Sequence, residues 1–345
     1  MARVPLILDV DTGIDDSLAL LYLLASPEAE ILSIASTAGN VPAAQVAANN
    51  LAWLDLCGRP DIEVTLGSPV PLTDPLRTTE DTHGPQGIGY ARLTASNRSV
   101  SERSSARAWV DLARSRPGEI TGLVTGPLTN LALALRIEPA LPTLLHRIVV
   151  MGGAFHHPGN TTPKAEWNIS VDPEAAREVF DAFSAAPAGR LPVICPLDVT
   201  ETIEMRPEHL RRLATVAGST PEELIAETDP PGTRSRASNP VVRHLSDAIR
   251  FYLEFHRDHG QGFLAHMHDP FAAAVALRTV DFRTRPATVD VELAGTLTRA
   301  CTVADWYGMW GRPFNADVVV ETDPQEFFAG LVDRIGRYSR RIPLS

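Results

Sequence analysis

Leu8-Asp9-Val10-Asp11-Thr12-Gly13-Ile14-Asp15-Asp16 is the stretch on which the fold of this chain turns. Four carboxylates fall within eight positions. Val4-Pro5-Leu6-Ile7-Leu8 ahead of them is a short apolar run and reads as a buried strand. Ser17-Leu18-Ala19-Leu20-Leu21-Tyr22-Leu23-Leu24 behind them reads as the start of a helix. The acids therefore sit where a strand ends and a helix begins, the edge of an open α/β sheet where ligands bind. Acids this close repel one another, and protons or a cation must offset the repulsion. A hard divalent cation fits, because every ligand on offer is oxygen. Helix capping accounts for Asp15 or Asp16. It does not account for Asp9 and Asp11 on the strand side.

Outward from this stretch, strand-like and helix-like segments alternate. Strands are expected over 30–37, 62–66, 119–124, 147–151, 191–195 and 315–320, and over 287–294, the last antiparallel. Helices are expected over 41–57, 101–116, 128–136, 174–183, 207–229, 241–258, 270–278 and 324–338. Asp172-Pro173 opens one of them, with aspartate as cap and proline in the first turn. Segments 69–90 and 152–171 read as long loops, and loops of that length are functional or disordered. The polar, Pro- and Gly-containing segment 229–240 reads as mobile. This alternation predicts one α/β domain over 1–345, a mostly parallel open sheet flanked by helices on both faces, with the site at the carboxyl ends of the strands.

The chain has 345 residues and a net charge of −11, which argues against a nucleic-acid polymer as partner. Cys57, Cys195 and Cys301 are far apart and form no metal-type pair, as expected of buried thiols in a reducing compartment. With no signal peptide and no apolar run long enough for a bilayer, a cytoplasmic protein without membrane contact is expected.

Four later stretches carry oxygen or imidazole chemistry. Val124-Thr125-Gly126-Pro127 is a strand-to-helix turn. Met151-Gly152-Gly153 lets backbone approach a ligand, and Asn160, Glu166 and Asn168 follow with Trp167 on one loop. Ribose hydroxyls need paired donors and acceptors of that kind. His266-Met267-His268-Asp269-Pro270 precedes a helix. Asp81-Thr82-His83-Gly84 lies in the first long loop, and Asn40 ends the second strand.

Taken together, Asp9-Val10-Asp11-Thr12-Gly13-Ile14-Asp15-Asp16, Asn160 with Glu166-Trp167-Asn168, and His268-Asp269-Pro270 resemble the inosine-uridine nucleoside hydrolase family. The family's members are calcium-dependent enzymes that cut the N-glycosidic bond of ribonucleosides. The resemblance implies Ca2+ held by Asp11, Asp16, the Thr125 carbonyl and Asp269. It implies Asp11 as general base and His268 as the acid for the leaving base. Asp15 and Asn168 would hold the 2′ and 3′ hydroxyls, and Asn160 and Glu166 the 5′ side. Asn40 would stand by the attacking water, and His83 near the nucleobase. Met151 and Trp167 belong to the substrate-binding set, Trp167 stacking on the base or packing under its loop. Asp9 would orient the others, and His266 reads as a bystander. The resemblance also implies a homodimer or homotetramer. His268 argues against the purine-specific branch, which leaves a pyrimidine or inosine/uridine preference. Thr12 stands where proline is common, and 229–240 lacks the tyrosine that some members place against the base.

Two rivals share features of this reading. Haloacid-dehalogenase-like phosphatases also begin with a strand and Asp-x-Asp-Thr, which would make Asp9 a nucleophile with magnesium. They want a basic residue on the phosphate, whereas the only lysine here is Lys164. A non-catalytic ribose or nucleoside binder would use the same calcium site without turnover.

Overall fold

The computed structural model describes residues 3–187 and 189–343. Its strands are β1 (Val4–Val10), β2 (Ala29–Ser36), β3 (Glu63–Leu66), β4 (Thr121–Val124), β5 (Arg147–Met151) and β6 (Val193–Cys195), then β7 (Glu204–Met205), β8 (Ala265–His266), β9 (Phe282–Val291), β10 (Thr302–Asp305) and β11 (Ala316–Thr322). Nine of them form one sheet in the order β10-β9-β11-β6-β5-β4-β1-β2-β3, and β7 and β8 form a small antiparallel pair. The run from β3 through β11 is parallel, whereas β9 is antiparallel to β11 and β10 to β9. This is the expected mostly parallel α/β sheet.

Both faces are covered, each by its own apolar cluster. Helices Ile14–Ala25, Pro240–Asp258, His268–Leu277 and Pro324–Ser339 contribute to one face. Helices Ser105–Ser115, Thr129–Ile137 and Pro173–Phe183 contribute to the other. Every residue of His268–Leu277 is buried. An apolar helix of this kind has no solvent face, and it carries His268 and Asp269 into the interior at its N-terminus. No helix among the described residues is long and apolar enough to cross a membrane.

Several expected boundaries move. The helix expected over 207–229 ends at Val216, because Gly218 takes the left-handed conformation (φ +69°) and Pro221 follows. The 229–240 segment is anchored along its length. Asp229 pairs with Arg250 at 2.8 Å, and the Ser235 amide donates to Asp247 at 2.7 Å. β9 starts at Phe282, ahead of the expected 287, because its polar first half runs beside β11. Short helices interrupt both long loops, at Glu80–His83 and Trp167–Val171.

Candidate active site

The chain leaves β1 toward β2 and β3 on one side, then returns to β4 on the other. That reversal opens a crevice beyond the carboxyl end of β1. The four N-terminal acids lie there, and the loop after β4 and the helix His268–Leu277 bring in Thr125 and Asp269.

Asp9 faces away from the crevice. It is fully buried, and its carboxylate accepts from Trp109 Nε1 at 2.7 Å and Asn130 Nδ2 at 2.9 Å. Both oxygens are engaged inside the protein and fully buried, so a nucleophilic Asp9 of the phosphatase kind has no open approach to a substrate. Burial pushes its pKa up to about 7 against those two hydrogen bonds.

Asp16 reaches back to the Gly13 amide at 2.8 Å, closing the helix N-terminus, and accepts from Thr125 Oγ1 at 2.8 Å. Capping and clustering are thus one arrangement. Asp15, Asp16 and Asp269 each present a carboxylate oxygen within 4.8 Å of the others, a group that could hold a metal ion. Asp11 is beside this triangle rather than in it. Its Oδ2 accepts from the Asn40 amide at 2.8 Å, while its Oδ1 is buried with no protein partner. Asn40 Oδ1 is equally unpartnered. Desolvation, then the charges of neighbouring acids, holds Asp11 well above the ordinary carboxylate range, and the same two causes push Asp15 up to about 7. Asp269 is raised likewise, by burial and by Asp15, Asp16 and Asp11. An orphaned oxygen among dehydrated acids is what a hard cation relieves, so the donor set fits a divalent ion.

A cavity of about 220 Å3 opens over these acids. Asp15, Asp269, Asn40, Thr125 and Met151 line the acidic end. Asn168 spans it, its Nδ2 donating to the carbonyls of Thr125 (2.7 Å) and Met151 (3.2 Å). Glu166 caps the short helix Trp167–Val171, accepting from the Asn168, Ile169 and Gly153 amides at 2.8–3.1 Å. Asn160 Oδ1 accepts from the Trp167 amide at 2.9 Å. Trp167 lines the cavity with Arg77 over its ring at 5.9 Å. His268 stands opposite the loop, its Nδ1 2.8 Å from Thr200 Oγ1.

A model of the family described as inosine-uridine preferring nucleoside hydrolase matches residues 6–329. The chain belongs to this nucleoside hydrolase family. It is 35% identical over 336 residues to the pyrimidine-specific ribonucleoside hydrolase RihA of Salmonella gallinarum, covering 97% of this chain and 99% of that one. Among solved structures it resembles a purine-preferring ribonucleoside hydrolase from Gardnerella vaginalis, with a TM-score of 0.83 and 30% identity over 97% and 99% of the two chains. An inosine-guanosine nucleoside hydrolase is similar at a TM-score of 0.81 and 27% identity, over 97% and 99%. The reaction is hydrolysis of a ribonucleoside at its N-glycosidic bond.

In this nucleoside hydrolase the cavity is also lined by residues that no motif marked. Tyr252, Phe255 and His256 line it from helix Pro240–Asp258, and Glu201 lines it from the turn after β6. Tyr252 and His256 are four residues apart on an amphipathic helix, so in sequence they read as core. Tyr252 puts an aromatic side chain on the cavity wall. His266 also belongs to the wall, its Nε2 3.0 Å from Glu201 Oε2, so it is no bystander in position.

His83 accepts from the Ile14 amide at Nδ1 (3.1 Å), which leaves its Nε2–H for the cavity. Burial, then the neighbouring His256, holds His83 down to about 3. Burial and the surrounding histidines hold His268 well below the ordinary histidine range. Both rings are therefore neutral at physiological pH, and any proton transfer from His268 starts from a neutral imidazole.

Proposed function

We propose that this enzyme hydrolyses pyrimidine ribonucleosides with calcium, using Asp11 as general base and His268 at the leaving base. The observation that carries the reading is the pair of orphaned oxygens, Asp11 Oδ1 and Asn40 Oδ1, beside a ring of buried acids. The 35% identity to a pyrimidine-specific relative over nearly the full length of both chains supports the base class. One domain carries the whole reaction, consistent with a single large sheet.

Asp16 and Asp269 of the acidic triangle, joined by Asp11 beside it and the Thr125 carbonyl, would hold Ca2+, which would lower the pKa of a water in the site. Asp11 Oδ1 takes the proton of the attacking water, and Asn40 Oδ1 accepts its second hydrogen. Asp15 and Asn168 grip the 2′ and 3′ hydroxyls. Asn160 offers its amide Nδ2 to the 5′ hydroxyl. Glu166 accepts three backbone amides and retains one of its roughly four acceptor positions for the same group. Met151 fixes Asn168 from below. As the glycosidic bond stretches, ribose gains positive charge, and the carboxylates of Asp11 and Asp15 stabilise it. His268 donates from the ring nitrogen opposite Thr200 to the base as negative charge builds there. His83 donates from Nε2 on the other side, and Trp167 closes over the sugar. Asp9 anchors the strand end beneath them through Trp109 and Asn130.

Free Cys57, Cys195 and Cys301 support a cytoplasmic setting. The exposed side chains of Leu297, Tyr307 and Met309 support a homodimer or homotetramer.

Ribose release from uridine, cytidine, inosine and adenosine, with calcium and after chelation, tests the reading. Release is expected only with calcium, fastest from a pyrimidine. Asp11→Asn should lower kcat by about 10²–10⁴-fold. Without calcium its melting temperature should not fall, since asparagine still accepts from the Asn40 amide and removes a buried carboxylate. Release that survives exhaustive chelation would overturn the calcium reading, and full activity in Asp11→Asn the assignment of the base.

A further inference from the structure

The cavity wall presents hydrogen-bond acceptors besides the N-terminal acids. His256 Nδ1 is 2.9 Å from the Tyr252 carbonyl. A carbonyl only accepts, so Nδ1 carries the proton and Nε2 is left as an acceptor. Burial, ahead of the neighbouring His266, holds this ring down to about 4, so it stays neutral. Glu201 is the second acceptor. Among the described residues its one basic contact is His266, at 3.0 Å. Burial holds His266 below the ordinary histidine range, so the contact supplies no fixed positive charge to Glu201. The ring of His266 lies 5.5 Å from that of His268 and 5.0 Å from that of His256. His268 adjoins Asp269, so this series of rings leads from the acidic end to Glu201. The position therefore suits the outer edge of a base whose ribose rests on the acids.

We propose that Glu201 and His256 select a nucleobase bearing an exocyclic amine, so that cytidine is preferred to uridine. The proposal rests on the placement of ribose at the acidic end given above. Cytosine offers an amino group where uracil offers a carbonyl oxygen. Against a carboxylate and an imidazole lone pair, the amine donates two hydrogens. Uracil brings one donor to this edge, its ring N3–H, so one acceptor is left facing the carbonyl oxygen unpaired, a mismatch that a polar site disfavours. Gln261, also on this wall, both donates and accepts and so does not discriminate. The same argument ranks adenosine above inosine.

The test is the ratio of kcat/KM for cytidine over uridine, and for adenosine over inosine, in the wild type and in Glu201→Gln. Glutamine keeps the size of the side chain and adds a donor. The wild-type cytidine ratio is expected to be at least about tenfold, and to fall toward unity in Glu201→Gln. Free cytosine should inhibit the wild type about tenfold more tightly than uracil, a comparison that needs no variant to fold. A wild type that favours uridine overturns the proposal, as does a ratio that Glu201→Gln leaves unchanged. An equal loss on all four nucleosides would leave the ratio unchanged and assign Glu201 a structural role. If no nucleoside is cleaved, the hydrolase reading itself fails, and equal weak binding of cytosine and uracil would then overturn the proposal separately.

Discussion

Gly39 shows how little slack surrounds the proposed base. A Cβ at this position would stand 2.1 Å from Asp11 Oδ2 and 2.8 Å from Pro127 Cδ. Alanine there must push the carboxylate off its place, and a misplacement of about 1 Å costs on the order of 10²-fold in rate. Gly39→Ala is therefore expected to lose about 10²-fold in kcat while cytosine and uracil still bind, checked by steady-state kinetics and product inhibition. Trp109→Phe acts differently. It removes one donor from the fully buried Asp9 and keeps an aromatic ring in place. The expected loss is about 1–3 kcal/mol of stability by urea denaturation, with a change in kcat/KM below about tenfold. The two variants separate a residue that touches the reaction from one that supports it. They also explain what was legible at this scale. Asp9, Asp11, Asp15 and Asp16 stand out in the sequence because their mutual repulsion has no local remedy. Asn168 and Glu166 stand out through spacing. Glu201, Tyr252 and His256 carry no such signal, because each has an ordinary local environment and gains its position only when the sheet closes the cavity.

At the scale of elements, the helix Pro324–Ser339 is tied to the start of β2 by one side chain. Arg334 holds Glu28 through two contacts, at 2.7 and 3.0 Å, touches Ser26 Oγ at 3.1 Å and lies over the Tyr22 ring at 5.6 Å. Hydrogen bonding from Arg334 lowers the Glu28 pKa from its ordinary 4.5. A depressed carboxyl stabilises the fold above its unfolded-state pKa and loses that contribution as pH falls through its folded-state value. Arg334→Leu should therefore cost on the order of 1 kcal/mol at pH 7, given that the pair is partly exposed. The difference from wild type should persist down to about pH 4.5 and vanish below it. Urea denaturation at a series of pH values measures this, and a difference independent of pH would assign the effect to packing on Tyr22. Interactions of this length in sequence are invisible to periodicity, as are the polar first half of β9 and the short edge strand β10. Elements with local signals, such as β1, Asp172-capped Pro173–Phe183 and Pro324–Ser339, were readable. The helix that stops at Val216 was not, because the apolar spacing continues past the glycine that ends it.

For the whole molecule, the acidic ring is a point where distant parts of the chain meet. Asp16 opens the first helix, Thr125 follows β4, and Asp269 begins a helix that is buried along its length. Burial and mutual charge oppose bringing their carboxylates together, on a chain that already carries a net charge of −11. A divalent cation bound there favours the folded state alone, since the ligands are scattered when the chain unfolds. At free calcium 100-fold above its dissociation constant the stabilisation is about 2.7 kcal/mol. Chelation and dialysis should accordingly lower Tm by several degrees, and calcium should restore it. Magnesium at equal concentration should restore less, because it demands octahedral geometry and keeps its waters. Asp16→Asn separates this linkage from general ionic effects. The variant loses a ligand but keeps an oxygen for Thr125 or the Gly13 amide, so it should fold while its Tm no longer responds to calcium. Differential scanning calorimetry of both proteins, with chelator, calcium and magnesium, reads the outcome. An equal calcium response in wild type and variant would place the stabilising ion somewhere other than the acidic ring.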